Sequence, residues 1–252
     1  MAINVNNVYR TVLLILNQEQ RGYITPDEFN KTATQVQLDI FERYFEDLNQ
    51  QLRVTQTDFD YSNRQVDIDD KISNFKCIGP CATVGPNLPP FNLPTVDTLT
   101  GSAIVYNDAP TASQFAFYRL GTVTYNDIEI QRLQRVEFYN IDKSDLTAPS
   151  TNFPVYLYES GKLNIKPPSI TSDVKTTFLR KPKNVVWNFD IPVGSVTYVY
   201  NPSTSVDFEL NSSEQTNVIT RILLYAGIVV KDPTIIQVAA QQIQQEEQNA
   251  KS

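Results

Sequence analysis

The sequence predicts an α+β protein in which a helical bundle, built from N- and C-terminal helices, carries an inserted, mainly antiparallel β domain. Near both chain ends, apolar residues recur every three or four positions, a spacing typical of amphipathic helices. Between them, β-branched and aromatic residues are punctuated by Pro, Gly, Asn and Asp, as in strands joined by turns. The predicted bundle comprises residues 1–56 plus 209–252, and the β-rich insertion comprises residues 57–208.

The N-terminal segment predicts a helical hairpin. Its second helix has a well-defined start, because Thr25 followed by Pro26 and Glu28 matches a capping box with Pro at the first helical position. A short polar connection that contains Gly22 separates the two helices. The predicted buried stripes are Val5, Val8, Tyr9, Val12, Leu13 and Leu16 in the first helix and Phe29, Ala33, Val36, Ile40, Phe41, Tyr44, Leu48 and Leu52 in the second.

The C-terminal segment predicts two further helices. Ser212 and Gln215 match a second capping box, which opens a helix that runs through Val230. Asp232 and Pro233 predict the start of a last helix. The predicted stripe residues are Val218, Ile222, Tyr225 and Val229 in the first of these helices and Ile235, Ile236, Ala239, Ala240 and Ile243 in the second.

The apolar run LLYAGIVV, residues 223–230, ends the first of these two helices. A membrane-spanning helix needs about 20 apolar residues, so this run is too short to be a membrane anchor. A helix that is apolar nearly all round needs cover on several sides. We expect that cover to come from the chain's own bundle or from a neighbouring subunit.

The clearest hairpin of the β region lies in FPVYLYESGKLNIKPP, where alternating apolar and aromatic residues flank a turn at residues 159–162. The segments VKTTFLRKP and GSVTYVYN predict further strands. The Pro-rich segment GPNLPPFNLP predicts a surface loop or an extended arm, because Pro-rich stretches favour extended backbone without internal hydrogen bonds.

Composition argues against several classes of function. A formal charge of −7 and a pI near 4.7 disfavour wrapping around a nucleic-acid backbone, because that affinity comes mainly from Lys and Arg. The chain has no histidine, which removes Ser-His-Asp and Cys-His catalysis. Cys77 and Cys81 alone are too few for a structural zinc site, and we expect reduced thiols rather than a disulfide. We predict no catalytic residue and no cofactor.

The segment DFDYSNRQVDID is a weak match to a calcium-binding loop. The candidate ligands are Asp58, Asp60, Ser62 and Asp69. Asn63 stands where such a loop needs Gly for its sharp turn, and the last candidate ligand is Asp rather than the longer Glu. These departures favour a solvated acidic segment, so we predict no metal site.

A basic cluster in RKPK is the first candidate partner contact. Arg180, Lys181 and Lys183 could meet DNA, an acidic neighbouring subunit or only water, and a solvated strand end is the ordinary meaning of so short a run. Trp187, the only tryptophan, follows closely. It predicts a half-buried packing aromatic rather than a sugar-binding platform, because no matching set of aromatic and polar partners accompanies it.

The amide-rich C-terminal helix is the second candidate partner contact. Gln237, Gln241 and Gln245 lie in it, and amide side chains both donate and accept hydrogen bonds without a charge to desolvate. We predict that this helix makes contacts between subunits. A frayed, exposed chain end is the alternative.

Four parts of the chain, in this order, are similar to a known class of proteins. They are EQRGYITPDEFN with IFERYFEDLN, LTAPSTNFPVYLYESGKLNIKPPSI, FLRKPKNVVW, and DFELNSSEQTNVITRILLYAGIVVKDP. With these stretches the sequence resembles the head-to-tail connector, ring or adaptor, structural proteins of short-tailed and crAss-like bacteriophages. The resemblance implies a helical bundle with a β insertion that assembles into a ring, usually twelve-fold, around the DNA channel beneath the portal.

The same resemblance implies the partners and the location. They are further copies of the chain, the portal and the neighbouring tail ring proteins, while genomic DNA passes through without sequence-specific binding. The protein is then made in the host cytoplasm and built into the virion, with no membrane anchor and no catalytic residues.

The β region and its thirteen tyrosines leave open a β-rich fibre or a carbohydrate-binding virion module as the alternative. Such a module needs an aromatic platform that faces solvent, whereas the aromatics here mostly alternate as core residues of strands. A hydrolase that uses carboxylates alone is a third possibility.

Overall fold

The computed structural model describes residues 2–18, 23–51, 64–85, 88–106, 110–111, 113–192, 194, 198–230 and 237–245. The chain divides into two compact units, a terminal unit of residues 1–74 with 182–252 and a β unit of residues 75–181. The predicted α+β class is confirmed, and most of the described strand pairs are antiparallel. The two units divide the chain at other residues than the domain boundaries predicted at 56/57 and 208/209.

Helices from both chain ends lie in the terminal unit, where α5 contacts both α1 and α2, and α3 contacts α2. The helices in chain order are α1 (Val5–Gln18), α2 (Pro26–Gln51), α3 (Arg64–Ser73), α4 (Arg135–Asn140), α5 (Gln215–Val230) and α6 (residues 237–245). Only α4 belongs to the β unit.

The predicted capping box at the start of α2 is confirmed. The Thr25 backbone N–H donates to Glu28 Oε2 at 2.9 Å, and the Glu28 N–H donates to Thr25 Oγ1 at 3.3 Å. Hydrogen bonds from the Thr25 hydroxyl and backbone lower the pKa of the Glu28 carboxyl below its usual range. The two residues thus satisfy N–H groups that a helix start leaves without an intrahelical partner.

The predicted apolar stripes of α1 and α2 are buried, apart from the half-buried Leu13. The side chains of Leu48 and Leu52 lie outside the described residues. The start of α5 was predicted wrongly, because the cap is Asn211 rather than Ser212. A 3₁₀ turn, Ser212–Glu214, precedes α5, and Asn211 Oδ1 accepts the Ser213 N–H at its start. The tighter turn moves the cap one residue toward the N-terminus.

The described part of the apolar run in α5, residues 223–227, has no exposed residue: the first three are half-buried and the last two are buried. Residues 218–227, all of them described, include no exposed residue, and Val218 and Ile222 are fully buried. The predicted stripe therefore packs in the terminal unit, as far as Tyr225, which is half-buried. The side chain of Val229 and the residues around Asp232, Pro233, Ile235 and Ile236 lie outside the described part of the chain.

A row of polar side chains on α2 binds the irregular segment 183–187. Gln37 Nε2 donates to the Lys183 carbonyl at 2.7 Å, while its Oε1 accepts the Glu209 N–H at 2.8 Å. One and two turns earlier, Thr34 and Asn30 bind the backbone of alternate residues in the segment. Thr34 Oγ1 accepts the Val185 N–H, and the Asn30 amide both accepts from the Trp187 N–H and donates to its carbonyl.

This row, which we call the α2 ladder (Asn30, Thr34 and Gln37), explains why residues 182–208 group with the terminal helices. The spacing of three and four residues places the three side chains on one helix face. Alternate residues of an extended segment present their backbone groups toward the same side. The helix face therefore hydrogen-bonds the segment as a neighbouring strand would.

The strands form two five-stranded sheets in the β unit and one short hairpin in the terminal unit. The strands are β1 (Lys76–Pro80), β2 (Thr83–Gly85), β3 (Leu88–Asn92), β4 (Ala103–Val105), β5 (Gln114–Tyr125), β6 (Ile128–Glu129), β7 (Gln131–Arg132), β8 (Val155–Glu159), β9 (Lys162–Lys166), β10 (Val174–Arg180), β11 (Phe189–Asp190) and β12 (Val199–Tyr200). The first sheet has the order β1-β10-β5-β4, with β6 beside β5, and the second has the order β2-β3-β9-β8-β7.

Residues 94–102, which we call the strap, close the first sheet between β4 and β1. Thr95 O accepts the Ile104 N–H at 2.8 Å on the β4 side, and the Thr98 N–H donates to Ile78 O at 2.7 Å on the β1 side. Asp97, fully buried, accepts from the Ile78 N–H and from the Thr100 hydroxyl. Within the closed sheet lies a small core of Cys77, Ile104, Phe115 and Phe178.

The predicted hairpin is confirmed as β8 and β9. Ser160 and Gly161 form its two-residue turn, and both have positive φ, as the turn type that matches strand twist requires. The predicted strand VKTTFLRKP is β10, and GSVTYVYN contributes β12 in the part that the structure describes. The main core of the β unit lies between the two sheets and includes Phe91, Val123, Tyr156, Leu163 and Ile165.

The Pro-rich segment was predicted wrongly as a surface loop or arm. It forms β3, which lies between β2 and β9, and Phe91 is fully buried in the main core. β3 pairs with β9 only at Phe91 and Asn92, beyond Pro89 and Pro90, so the missing Pro N–H groups remove no bond of that ladder. Burial of Phe91 and Leu93 in the tertiary structure outweighs the local preference of the prolines for a surface loop or arm.

Candidate interaction surfaces

The most exposed apolar residues of the β unit lie on one excursion between β7 and β8. In residues 134–153, which we call the arm, seventeen residues are exposed, two are half-buried and only Phe138 is buried. Leu146 is 95% exposed, Phe153 79% and Val136 72%, and Tyr139 is also exposed. Large apolar side chains concentrated in this way are typical of a surface that binds another macromolecule.

The arm has a fixed base on the second sheet. Phe138 of α4 packs with Val155 and Leu157 on the face of β8 that points away from the main core. Lys166 at the end of β9 donates to the Phe138 carbonyl at 2.8 Å and also forms an ion pair with Asp142. The Lys166 ammonium lies 4.4 Å from the centre of the Phe138 ring, a cation–π contact.

An open pocket of about 550 Å³ lies between the arm and the end of β9. Its walls are mainly apolar and include Phe138, Tyr139 and Pro149 of the arm with Pro167 and Pro168 after β9. Its two charged residues, Lys166 and Asp142, form an ion pair with each other. The pocket therefore adds concave apolar surface to the arm without an evident catalytic group.

The strap carries a second concentration of exposed apolar residues. Leu99 is 71% exposed, and Val96 and Tyr106 are each about half exposed, as 44% and 50%. Tyr106 follows β4, and its hydroxyl donates to the Pro94 carbonyl, which holds the ring beside the strap. We call Val96, Leu99 and Tyr106 the strap patch.

The predicted basic cluster is divided by the structure. Arg180 is buried in the β unit, where its guanidinium carbon lies 4.3 Å from the Phe115 ring centre and 5.3 Å from that of Phe75. The Lys181 N–H donates to the Ala116 carbonyl, also within the β unit, whereas Lys183 belongs to the terminal unit and its N–H donates to Glu209 Oε2. Both lysines are half-buried. Their role as partner contacts stays a prediction.

The predicted glutamine contacts lie on one exposed helix face. Gln237, Gln241 and Gln245 are exposed along α6 at intervals of four residues, and Ala239 and Ile243 are the buried residues of the same helix. The amides are thus presented away from the side that packs. Whether a partner binds them stays a prediction.

The remaining candidate residues are used inside the fold. Trp187 is a packing aromatic, as predicted, but is buried rather than half-buried; it packs on Tyr9, and its indole N–H donates to Asn6 Oδ1 at 3.2 Å. Cys77 and Cys81 are buried thiols. Burial raises the pKa of the Cys81 thiol, and a contact with Thr176 Oγ1 at 2.9 Å opposes this rise only in part, so the pKa is about 11. The reactive thiolate is therefore scarce at neutral pH.

No group of three or more Cys, Asp or Glu side chains is placed to hold a metal ion within the described residues. The calcium-loop candidates Asp58, Asp60 and Ser62 lie outside those residues, and Asp69 is part of α3. No described helix is long and apolar enough to cross a bilayer.

Sequence reasoning missed both apolar surfaces. Val136 and Tyr139 lie in a helix of only six residues, too short to show a helical period. Leu146 stands among turn-forming residues, where an apolar side chain has no strand or helix to join, and that isolation could have identified it. Phe153 was assigned to the predicted hairpin, but it lies before β8 and is exposed.

No protein-family model matches this chain, and no curated protein matches its sequence.

Proposed function

We propose that the chain is a virion structural protein that forms a homo-oligomeric ring in the portal-proximal head-to-tail connector of a short-tailed bacteriophage. The ring would line the channel through which the genome passes. The observation that carries this proposal is the arm, whose exposed apolar side chains are costly in water and are covered when another subunit docks. The resemblance of four sequence stretches to ring proteins of this class supplies the kind of assembly.

The proposed architecture includes a helical bundle formed by both chain ends. Contacts of α5 with α1 and α2 support it, because they bring the C-terminal apolar helix against both N-terminal helices. In a ring, such a bundle would give each subunit a rigid body, while the glutamine face of α6 would be available to a neighbouring subunit or to an adjacent ring.

The proposed partners are other copies of the chain, the portal and neighbouring tail ring proteins. The formal charge of −7 per copy fits a channel through which DNA slides, because negative walls repel the phosphate backbone and prevent adhesion. The burial of Arg180 removes one cation that could have bound DNA.

The alternative of a carbohydrate-binding module is weaker. Its best candidate platform residue, Trp187, is buried between Tyr9 and Tyr200 and cannot stack on a sugar from solvent.

Electron microscopy of the purified full-length chain tests the proposed function. We expect closed rings with a central channel, which are in equilibrium with single subunits when the protein concentration is low. Trimeric fibres would favour the fibre alternative, and single molecules at every concentration would contradict the ring.

A further inference from the structure

Exposed apolar residues of the β unit fall mainly in two places. Among the described residues 75–181, nine large apolar side chains are exposed; four lie on the arm and three form the strap patch. Val84 and Ile128 are the other two. Isolated exposed apolar residues are ordinary, whereas two separate concentrations on one unit need an explanation.

The arm and the strap patch are based on different sheets of the β unit, the arm on β8 of the second sheet and the strap on β4 and β1 of the first. In the closed first sheet, the strap lies between β4 and β1. The chain passes from β5 and its partner β6 in the first sheet to β7, the edge strand of the second sheet. The arm begins directly after β7. Both surfaces are exposed in a single copy, so the arm does not cover the strap patch of its own chain, and a second copy can supply the arm that does.

The charge of the two surfaces suits a contact between acidic copies. Residues 94–106 contain a single charged residue, Asp97, and its side chain is fully buried. The arm carries two basic and three acidic residues, and one of the acids, Asp142, is paired with Lys166. A strap whose single charge is buried can receive the arm with little of the repulsion expected between copies of charge −7, and interface centres are generally poor in charged residues.

The arm also has the size of one side of an interface. Its seventeen exposed residues approach the roughly 20–30 residues that each partner contributes to a stable contact. Tyr139 and Phe153 are aromatic anchors of the kind that dominate binding energy.

We propose that the arm of one copy docks on the strap patch of the next copy, with Leu146 and Phe153 covering Leu99. This inference rests on the proposed ring and names the surfaces that close it. A contact between two different surfaces of the same chain is heterologous, and repetition of a heterologous contact gives a ring when the rotation closes.

Complementation between two defective variants tests this contact in the full-length protein. The arm variant is Leu146→Ser with Phe153→Ser, and the strap variant is Leu99→Ser with Val96→Thr. All four side chains are exposed, so thermal melting by circular dichroism should match that of the wild type. Leu14→Ser, which replaces an exposed leucine on α1, is the control.

Native mass spectrometry and analytical ultracentrifugation then measure assembly. We expect the wild type and the control to form large assemblies, and each double variant to associate at least about 30-fold more weakly, as loss of an interface anchor implies. A mixture of the two variants should form complexes of two chains and nothing larger. In that mixture, one intact arm can meet one intact strap patch, and every other contact is defective.

The remaining outcomes overturn the inference in distinguishable ways. Normal assembly of either variant, or no complex in the mixture, would show that the arm and strap patch do not meet, and would leave the ring itself intact. A wild-type chain that stays monomeric would overturn the ring and this contact together.

Discussion

Each of the two units of the molecule is held together by a different kind of hydrogen bond. In the terminal unit, side chains of the α2 ladder bind the backbone of a segment about 150 residues away. In the β unit, neighbouring strands bind each other through backbone groups, and side chains serve mainly to fill the core. Backbone pairing tolerates many substitutions, whereas a side-chain ladder depends on three particular residues. The terminal unit should therefore be sensitive to polar substitutions and the β unit to changes of volume.

The largest expected effect is at Gln37, the buried residue of the α2 ladder. Gln37→Leu keeps the helix but leaves the Lys183 carbonyl and the Glu209 N–H without their buried partner. Since each unsatisfied buried group costs about 1–3 kcal/mol, we expect the loss of both bonds to lower the free energy of unfolding by about 2–6 kcal/mol. Urea unfolding followed by the fluorescence of Trp187, in the same unit, measures it. Gln35→Leu, at an exposed position of α2, is the control, and equal stability of both variants would refute the ladder.

A volume change at Gly79 should be the most damaging small substitution in the β unit. A Cβ added at Gly79 would lie 2.5 Å from the Val96 carbonyl oxygen and 2.6 Å from Pro94 Cβ, so the strap or β1 must shift. We expect Gly79→Ala to cost about 1–3 kcal/mol, as overpacking does. Hydrogen exchange of peptides from β1 and the strap would report faster opening. Gly85→Ala, where the added Cβ has no neighbour within 4 Å, should leave exchange unchanged.

Asp97 should make the strap sensitive to acid. Burial alone would raise the pKa of this carboxyl, but hydrogen bonds from the Thr100 hydroxyl and from the N–H groups of Ile78, Thr100 and Leu99 lower it below its usual range. A lowered folded-state pKa stabilises the protein above the unfolded value of about 3.9, and this stability is lost as the pH falls through the folded-state value. We expect Asp97→Asn to cost about 1–3 kcal/mol at neutral pH.

The test compares wild type and Asp97→Asn by chemical unfolding across the acid range. The difference between them should shrink below a pH of about 3.9. A constant difference at every pH would show that the carboxylate charge does not matter at this position.

The smallest effect is expected at the capping box, because it lies at an exposed helix end. Thr25→Ala removes the cap of α2 and should lower the free energy of unfolding by about 1 kcal/mol. Trp187 fluorescence again reports it. Lys31→Ala, which removes an exposed ion pair with Asp27 on the same helix, should produce no measurable change.

Sequence patterns predicted the parts of the fold that depend on near neighbours. The capping box at Thr25 and the two-residue turn at Ser160 and Gly161 are decided within a few residues, and the stripes of α1 and α2 follow from helical spacing. The Pro-rich strand was missed because one of its two partners, β9, is distant in the sequence, and no local pattern indicates that pairing. The α2 ladder was missed because nothing near Gln37 indicates a partner more than 140 residues away.

The same reasoning applies to the candidate surfaces. The glutamines of α6 were found from composition, and the structure places them on one exposed face. Arg180 was chosen for its charge, but the aromatic rings beside it come from β5 and from the residue before β1, which the sequence does not bring together. The arm escaped notice because exposure is a property of the fold and leaves no periodic pattern.

The α2 ladder has a consequence for how segment 183–187 behaves. Although this segment has almost no regular secondary structure, the N–H groups of Lys183, Val185 and Trp187 are bound by side chains, and that of Val186 by the Val206 carbonyl. A protease cleaves backbone that can leave the folded structure, and an insertion is tolerated where hydrogen bonds do not hold the backbone. Segment 183–187 meets neither condition. It should resist limited digestion and reject inserted residues as firmly as a central strand does.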